Sequence, residues 1–263
     1  VYDETEKDYA VAFAVPRDAE GLTIVETRRP SDTRDEETGW DSPKIGNITQ
    51  AFLLFENVFV PNSRIFISGE YKYTSRFIEY FSAIYRSSIG SCVSGQGDVI
   101  IGAALNMIKA NGLSQKVFQD RLTQIAINNE INYGIGIGAI YGGKEHESGV
   151  WIPDLLLANV NKTQVAVLPY QSKIIAQDIA GGIVETGCFP SYKDIQSKEY
   201  GHKILNALEA GADGETRAKI ARLLEWLTVG GGIPGCMHGG GSPDGAKLFI
   251  KKSRAKLPQK FLQ

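Results

Sequence analysis

Apolar and polar positions follow two rhythms along this chain, and the change falls near residue 70. Ahead of it the apolar runs are short and rich in β-branched and aromatic residues: 9–15 (YAVAFAV, closed by Pro16), 22–26 (LTIVE), 50–55 (QAFLLF) and 58–60 (VFV, ended by Pro61). Such runs, separated by Gly, Pro and Asp, predict strands. The charged, turn-rich stretch 28–40 (RRPSDTRDEETGW) predicts a surface loop. Beyond residue 70, apolar residues recur at 77, 80, 81, 84, 85, 89, 92 and 93, then at 99, 100, 101, 105 and 108. That helical spacing predicts a first long helix from Glu70 to Asn111, with Gly112 as its C′ glycine and Ser114 as the next N-cap. A second helix is predicted from Gln115 to Tyr141, where Gly134, Gly136 and Gly138 imply close helix packing or a nearby cofactor. Pro153 and Asp154 open a third, reaching Val184, and Asp213 opens a fourth that ends at Gly230. Four long helices with short connections predict an antiparallel bundle. The expected fold class is α+β, mainly α, with a β part over 1–69 and a helical domain over 70–263. No internal repeat is evident.

Composition narrows the picture only a little. Lys and Arg number 28 against 30 Asp and Glu, a net charge of −2, with 43% hydrophobic and 22% charged residues. This balance excludes a disordered tail and a strongly basic nucleic-acid binder. No cationic amphipathic segment points to a membrane surface, and no apolar run reaches the roughly 18–20 residues of a spanning helix. Three cysteines, Cys92, Cys188 and Cys236, make no disulfide framework and fit a reducing, cytoplasmic setting. The chain opens at Val1, with neither an initiator Met nor a charged-then-apolar leader. The expectation is a processed product or one piece of a larger polypeptide.

Four stretches carry a family resemblance. Residues 55–61 (FENVFVP) resemble the F-(D/E)-(N/D)-V-x-V-P signature with which the acyl-CoA dehydrogenase superfamily leaves its middle β-domain. Residues 85–92 (YRSSIGSC), followed by Gly95, Gly97, Asp98 and Val99, resemble the H-R-x-S-Y-G-G-C-K-x-G-x-G-D-V run of 4-hydroxybutyryl-CoA dehydratases. Residues 177–182 (QDIAGG) match that family's flavin-contacting hexapeptide, and 237–246 (MHGGGSPDGA) its M-H-G-G-G-S-P-E-G-A terminus. Order and spacing agree as well. The chain is identified as a member of the 4-hydroxybutyryl-CoA dehydratase / 4-hydroxyphenylacetate 3-hydroxylase family, whose C-terminal half it resembles. The implied architecture is the end of an acyl-CoA dehydrogenase-like β-domain followed by a C-terminal antiparallel helical bundle. The resemblance also implies FAD, a homotetramer of whole units with flavin sites at subunit contacts, and a separate or missing N-terminal half. That half supplies two of the family's four cluster ligands and part of its flavin site.

The implied activity is flavin-dependent lyase or isomerase chemistry on a short-chain acyl-CoA: 4-hydroxybutyryl-CoA dehydration, vinylacetyl-CoA Δ-isomerisation, or both. The family's dehydratases remove an unacidic C3 proton by a radical route through the flavin, with a [4Fe-4S] cluster as Lewis acid on the leaving hydroxyl. The implied flavin contacts are Gln177, Asp178, Ile179, Ala180, Gly181 and Gly182, the small residues letting backbone N–H groups approach a pyrophosphate. Cys92 matches a cluster cysteine, but Tyr85, on the same helix face, stands where the family has a His ligand. Tyr is a poor iron–sulfur ligand, so cluster ligation is weakened here. Val93 and Ile89 also depart from the family pattern, and Gln50 stands where a family glutamate serves in acid–base work. An amide cannot exchange that proton. Asp244 is the candidate base, or alternatively a helix N-cap after Pro243, and His238 belongs to the glycine-rich loop before it. Two other readings stand beside this one. An FADH2-dependent aromatic (4-hydroxyphenylacetate 3-) monooxygenase is favoured by the lost His. A non-catalytic subunit of an oligomeric flavoprotein is allowed by the other departures.

Overall fold

The computed structural model describes residues 2–27, 50–186, 188–229 and 237–254. Short strands come first: β1 (Val11–Phe13), β2 (Leu22–Thr27), β3 (Gln50–Phe55) and β4 (Ile65–Ser68). β2 and β3 pair antiparallel from Leu22 opposite Phe55 to Thr27 opposite Gln50. β1 pairs antiparallel with β4, Val11 lying opposite Ser68. The run 58–60 is not a strand, contrary to its apolar pattern. Asn57 takes a left-handed backbone (φ 54) that turns the chain out of the β3 ladder. The next strand, β4, forms only after a short turn of helix at Asn62–Arg64. The predicted loop 28–40 lies outside the described residues.

The helices follow: α1 (Thr74–Ala110) and α2 (Lys116–Tyr141), a two-stranded hairpin of β5 (Lys144–Glu145) and β6 (Trp151–Ile152), then α3 (Leu155–Val165) and α4 (Leu168–Ala180). α5 (Tyr192–Ile195), α6 (Gly201–Leu208), α7 (Gly214–Thr228) and α8 (Pro243–Arg254) complete the order. α1 closes as its sequence predicts: Gly112 has φ +68, and the Leu113 N–H bonds the Ile108 carbonyl 3.0 Å away. Asp154 and Asp213 cap α3 and α7 by accepting the Leu157 and Thr216 amides at 2.7 and 2.9 Å. The third predicted helix is broken in two. Pro169, in the first turn of α4, has no N–H to continue the ladder, so the chain breaks at 166–167. No helix among the described residues is long and apolar enough to cross a membrane.

Four helices share the main core. Ile100, Met107 and Ile108 of α1 pack with Ile125 of α2, Ile179 of α4, and Leu224 and Leu227 of α7. The first half of α1 is packed differently. Its buried side carries Ser82, Ala83, Arg86, Ser87, Gly90 and Ser94 beside Ile89 and Val93, whereas Phe77, Phe81, Ile84 and Tyr85 face out. Small residues there let α2 approach closely. A Cβ on Gly90 would lie 2.6 Å from the Asn132 carbonyl oxygen, and one on Gly136 2.9 Å from that of Ser87.

Candidate functional site

The residues singled out in the sequence gather in two places. The first is the turn preceding α8. Gly241 N–H donates to the His238 carbonyl at 3.0 Å, with Gly240 at φ +74, the backbone sign a type II turn requires at that position. Glycine is needed there twice over, because a Cβ on Gly240 would lie 2.6 Å from the Tyr85 ring. Tyr85 thus covers this turn with its ring. His238 is exposed on it. Ser242 Oγ accepts the Gly245 N–H at 3.0 Å and caps α8, so Asp244 is not the cap. Asp244 projects outward from the first turn of α8 and pairs with Lys247 at 3.0 Å.

Beneath the turn lie two buried cations that the motifs did not single out. Lys162 of α3 is fully buried, and its Nζ donates to the carbonyls of Met237 (2.9 Å) and Gly239. Arg86 of α1 is also buried. Its Nε donates to the Gly240 carbonyl at 3.1 Å and its Nη1 to Asn159 Oδ1 at 2.5 Å. Burial pushes the Arg86 guanidinium below its ordinary pKa. Asn161, next to Lys162, donates to the Arg86 carbonyl at 2.8 Å. One sequence signal could have revealed Lys162: it is a charge on the same helix face as Ala158 and Val165.

The second place is the far end of α4. Gln177, Asp178, Ile179 and Ala180 form its last turn, and Gly181 ends it in the left-handed conformation (φ +73), followed by Gly182 (φ +80). Residues 178–182, but not Gln177, border an open cleft of about 670 Å³ whose other walls include Phe118, Arg121, Asn111 and Arg217. Arg121 pairs with Asp178 at 2.7 Å, and Arg217 donates to Asn111 Oδ1 at 2.7 Å. The hexapeptide closes a helix rather than opening one. Helix carbonyls, not N–H groups, point past its end. Cationic charge in the cleft comes instead from Arg217, since Arg121 is balanced by Asp178. Open space surrounds the missing Cβ of Gly181.

The remaining candidates stand apart. Cys92 is exposed on α1, two turns from Tyr85, with a free thiol. Among the described residues no three His, Cys, Asp or Glu side chains gather as a metal site. Cys236 lies outside the described residues, and Gln50 is described only as the first residue of β3. The two gathered sites are well separated. Arg86 holds the turn, and Asn111 borders the cleft at the other end of α1. Twenty-five residues of helix at ~1.5 Å each put them about 37 Å apart.

The family description "4-hydroxyphenylacetate 3-hydroxylase C terminal" matches residues 74–260, and its N-terminal counterpart matches residues 1–67. The chain is 36% identical over 278 residues to a 4-hydroxybutyryl-CoA dehydratase/vinylacetyl-CoA-Delta-isomerase of Clostridium aminobutyricum, covering 95% of this chain and 54% of that one. It is similar to the oxygen-tolerant archaeal 4-hydroxybutyryl-CoA dehydratase from N. maritimus, with TM-score 0.89 and 35% identity over 98% of this chain and 55% of that one. It also shares the fold of the oxygenase component of 4-hydroxyphenylacetate 3-monooxygenase complexed with FAD, with TM-score 0.81 and 20% identity over 98% and 55% of the two chains. The chain spans about half the length of the curated relatives it matches.

Proposed function

The chain belongs to the 4-hydroxyphenylacetate 3-hydroxylase family, and from that premise we propose that it forms part of a flavin-dependent lyase or isomerase acting on a short-chain acyl-CoA thioester. The reactions are 4-hydroxybutyryl-CoA dehydration, vinylacetyl-CoA Δ-isomerisation, or both. The observation that carries this reading is the 36% identity, over 95% of the chain, to a protein named for both activities.

The cleft at the end of α4 suits FAD. Its glycines leave room for close approach, Phe118 offers an apolar wall, and Arg217 brings a guanidinium to meet a pyrophosphate. Bound FAD supplies the one-electron chemistry that makes an unactivated proton removable. The chain's part is to hold the cofactor through residues 177–182 and to move a proton at the α8 turn. Asp244 accepts it at its carboxylate, and His238 orients the thioester from the neighbouring turn. The residues do not fit a [4Fe-4S] cluster: Cys92 is one thiol, and the Tyr85 ring is engaged with Gly240. No step is therefore assigned to a cluster here, and isomerisation, which makes less demand on a Lewis acid, is the step this chain is best equipped to support.

Because the α4 cleft and the α8 turn are so far apart in one chain, a flavin site that uses both takes them from different copies. The working unit is accordingly an assembly of copies with the N-terminal part of the enzyme, and its free thiols suit the cytoplasm. The decisive experiment is the iron, sulfide and FAD content of the anaerobically purified assembly, together with its turnover of vinylacetyl-CoA and 4-hydroxybutyryl-CoA. Flavin with crotonyl-CoA formation is the expected result, and an assembly with neither overturns the proposal. A second reading, aromatic hydroxylation, draws on the shared monooxygenase fold and on Tyr85 in place of His. Oxygen uptake with reduced FAD and a phenol, without acyl-CoA turnover, establishes it instead.

A further inference from the structure

The α8 turn is held by two buried cationic side chains. Three carbonyls within four residues, those of Met237, Gly239 and Gly240, point inward onto Lys162 and Arg86. Burying two cationic side chains is costly, and apolar residues of the same volume commonly replace buried charges without loss of stability. What an apolar floor cannot provide is direction. A cation bonded to a carbonyl fixes the plane of that peptide, and two cations on different helices fix successive planes. The result is a turn with these carbonyls inward and His238 exposed, one residue from the bonded carbonyls of Met237 and Gly239 and two from that of Gly240.

The cations are themselves fixed. Arg86 is braced by Asn159, whose own amide donates to the Leu155 carbonyl at 2.6 Å. The Arg86 carbonyl is in turn held by Asn161, adjacent to Lys162. We propose that Lys162 and Arg86 are positioning residues, a two-cation clamp that sets the orientation of the His238–Gly241 turn for the reaction. This rests on the reading above, in which His238 and Asp244 meet the substrate.

The test uses the full chain in its native assembly, with hydrogen exchange followed over residues 237–246 and, as an internal reference, over the α1 core at 100–110. In Lys162→Met, exchange over 237–246 is expected to rise at least tenfold while the reference segment is unchanged. Arg86→Lys keeps the charge, but its single head cannot serve both Gly240 and Asn159, and it is expected to loosen the same segment. In both variants kcat for the acyl-CoA reaction is expected to fall about tenfold or more with KM little changed, the signature of lost positioning rather than lost binding. Unchanged exchange over 237–246 overturns the clamp. So does equal loosening of the reference segment in Arg86→Lys, which assigns the pair a purely structural role. A loosened turn with unaltered kcat overturns the positioning role. If Lys162→Met does not fold, Arg86→Lys decides alone. If the unaltered assembly turns over no acyl-CoA, the proposed function fails while the exchange data still decide the clamp.

Discussion

Gly240 shows how much can depend on a missing methyl group. Its backbone needs a positive φ, and its open side receives the Tyr85 ring. Gly240→Ala is expected to destabilise the protein by about 1–3 kcal/mol, measured by urea unfolding. In a Tyr85→Ala background the same change should cost less, because only the backbone contribution remains; an equal cost in both backgrounds refutes the contact. Both members of this pair are legible in the sequence, but their contact is not. The glycine run and Tyr85 were each conspicuous as departures from or matches to a family pattern, but nothing in a linear chain says that a ring 155 residues earlier lies on that glycine. Lys162 is hidden in the sequence because a lysine in a polar-looking stretch (ANVNKTQ) invites a solvent-facing reading. Only the helical phase shared with Ala158 and Val165 contradicts it.

Elements were easier to read than their faces. The long helices, the Gly112 stop and the two aspartate caps follow from local rules that hold within a few residues. α1 is a helix as its spacing predicts, yet its large apolar residues at 77, 81, 84 and 85 face outward, while Ser82, Ser87, Ser94 and Arg86 face in. Periodicity gives a stripe, and only tertiary structure says what the stripe meets. The cap of α7 is open to a pH test. Asp213 accepts the backbone N–H and then the hydroxyl of Thr216, which lowers its pKa below the ordinary 3.8. A carboxylate depressed in the folded state contributes fully above the unfolded value and loses that contribution as pH falls through the folded one. The melting-temperature gap between the wild type and Asp213→Asn is therefore expected to be wider at pH 6 than in the acid range below 3.8. A gap that does not vary with pH rules out the charge as its source.

At the scale of the molecule, exposed apolar surface is the dominant feature. It runs over Phe52 to Phe55 of β3, Phe59 at 83% exposure, and the outer face of α1. Surface of this kind is covered in a working protein. Produced by itself, the chain is expected to self-associate or precipitate, as read by light scattering; a monodisperse monomer contradicts this. The length of α1 has a further consequence, and it is genetic. One helix keeps the α4 cleft and the α8 turn at opposite ends, so a lesion at one end leaves the other intact. Two inactive alleles, Gly181→Val at the cleft and Asp244→Asn beside the turn, are expected to complement each other when co-expressed, because a mixed assembly can draw each half of a site from the copy that retains it. Pairs of alleles damaged at the same end are expected to stay dead, and failure of every pair to complement would place both halves of each site within a single chain.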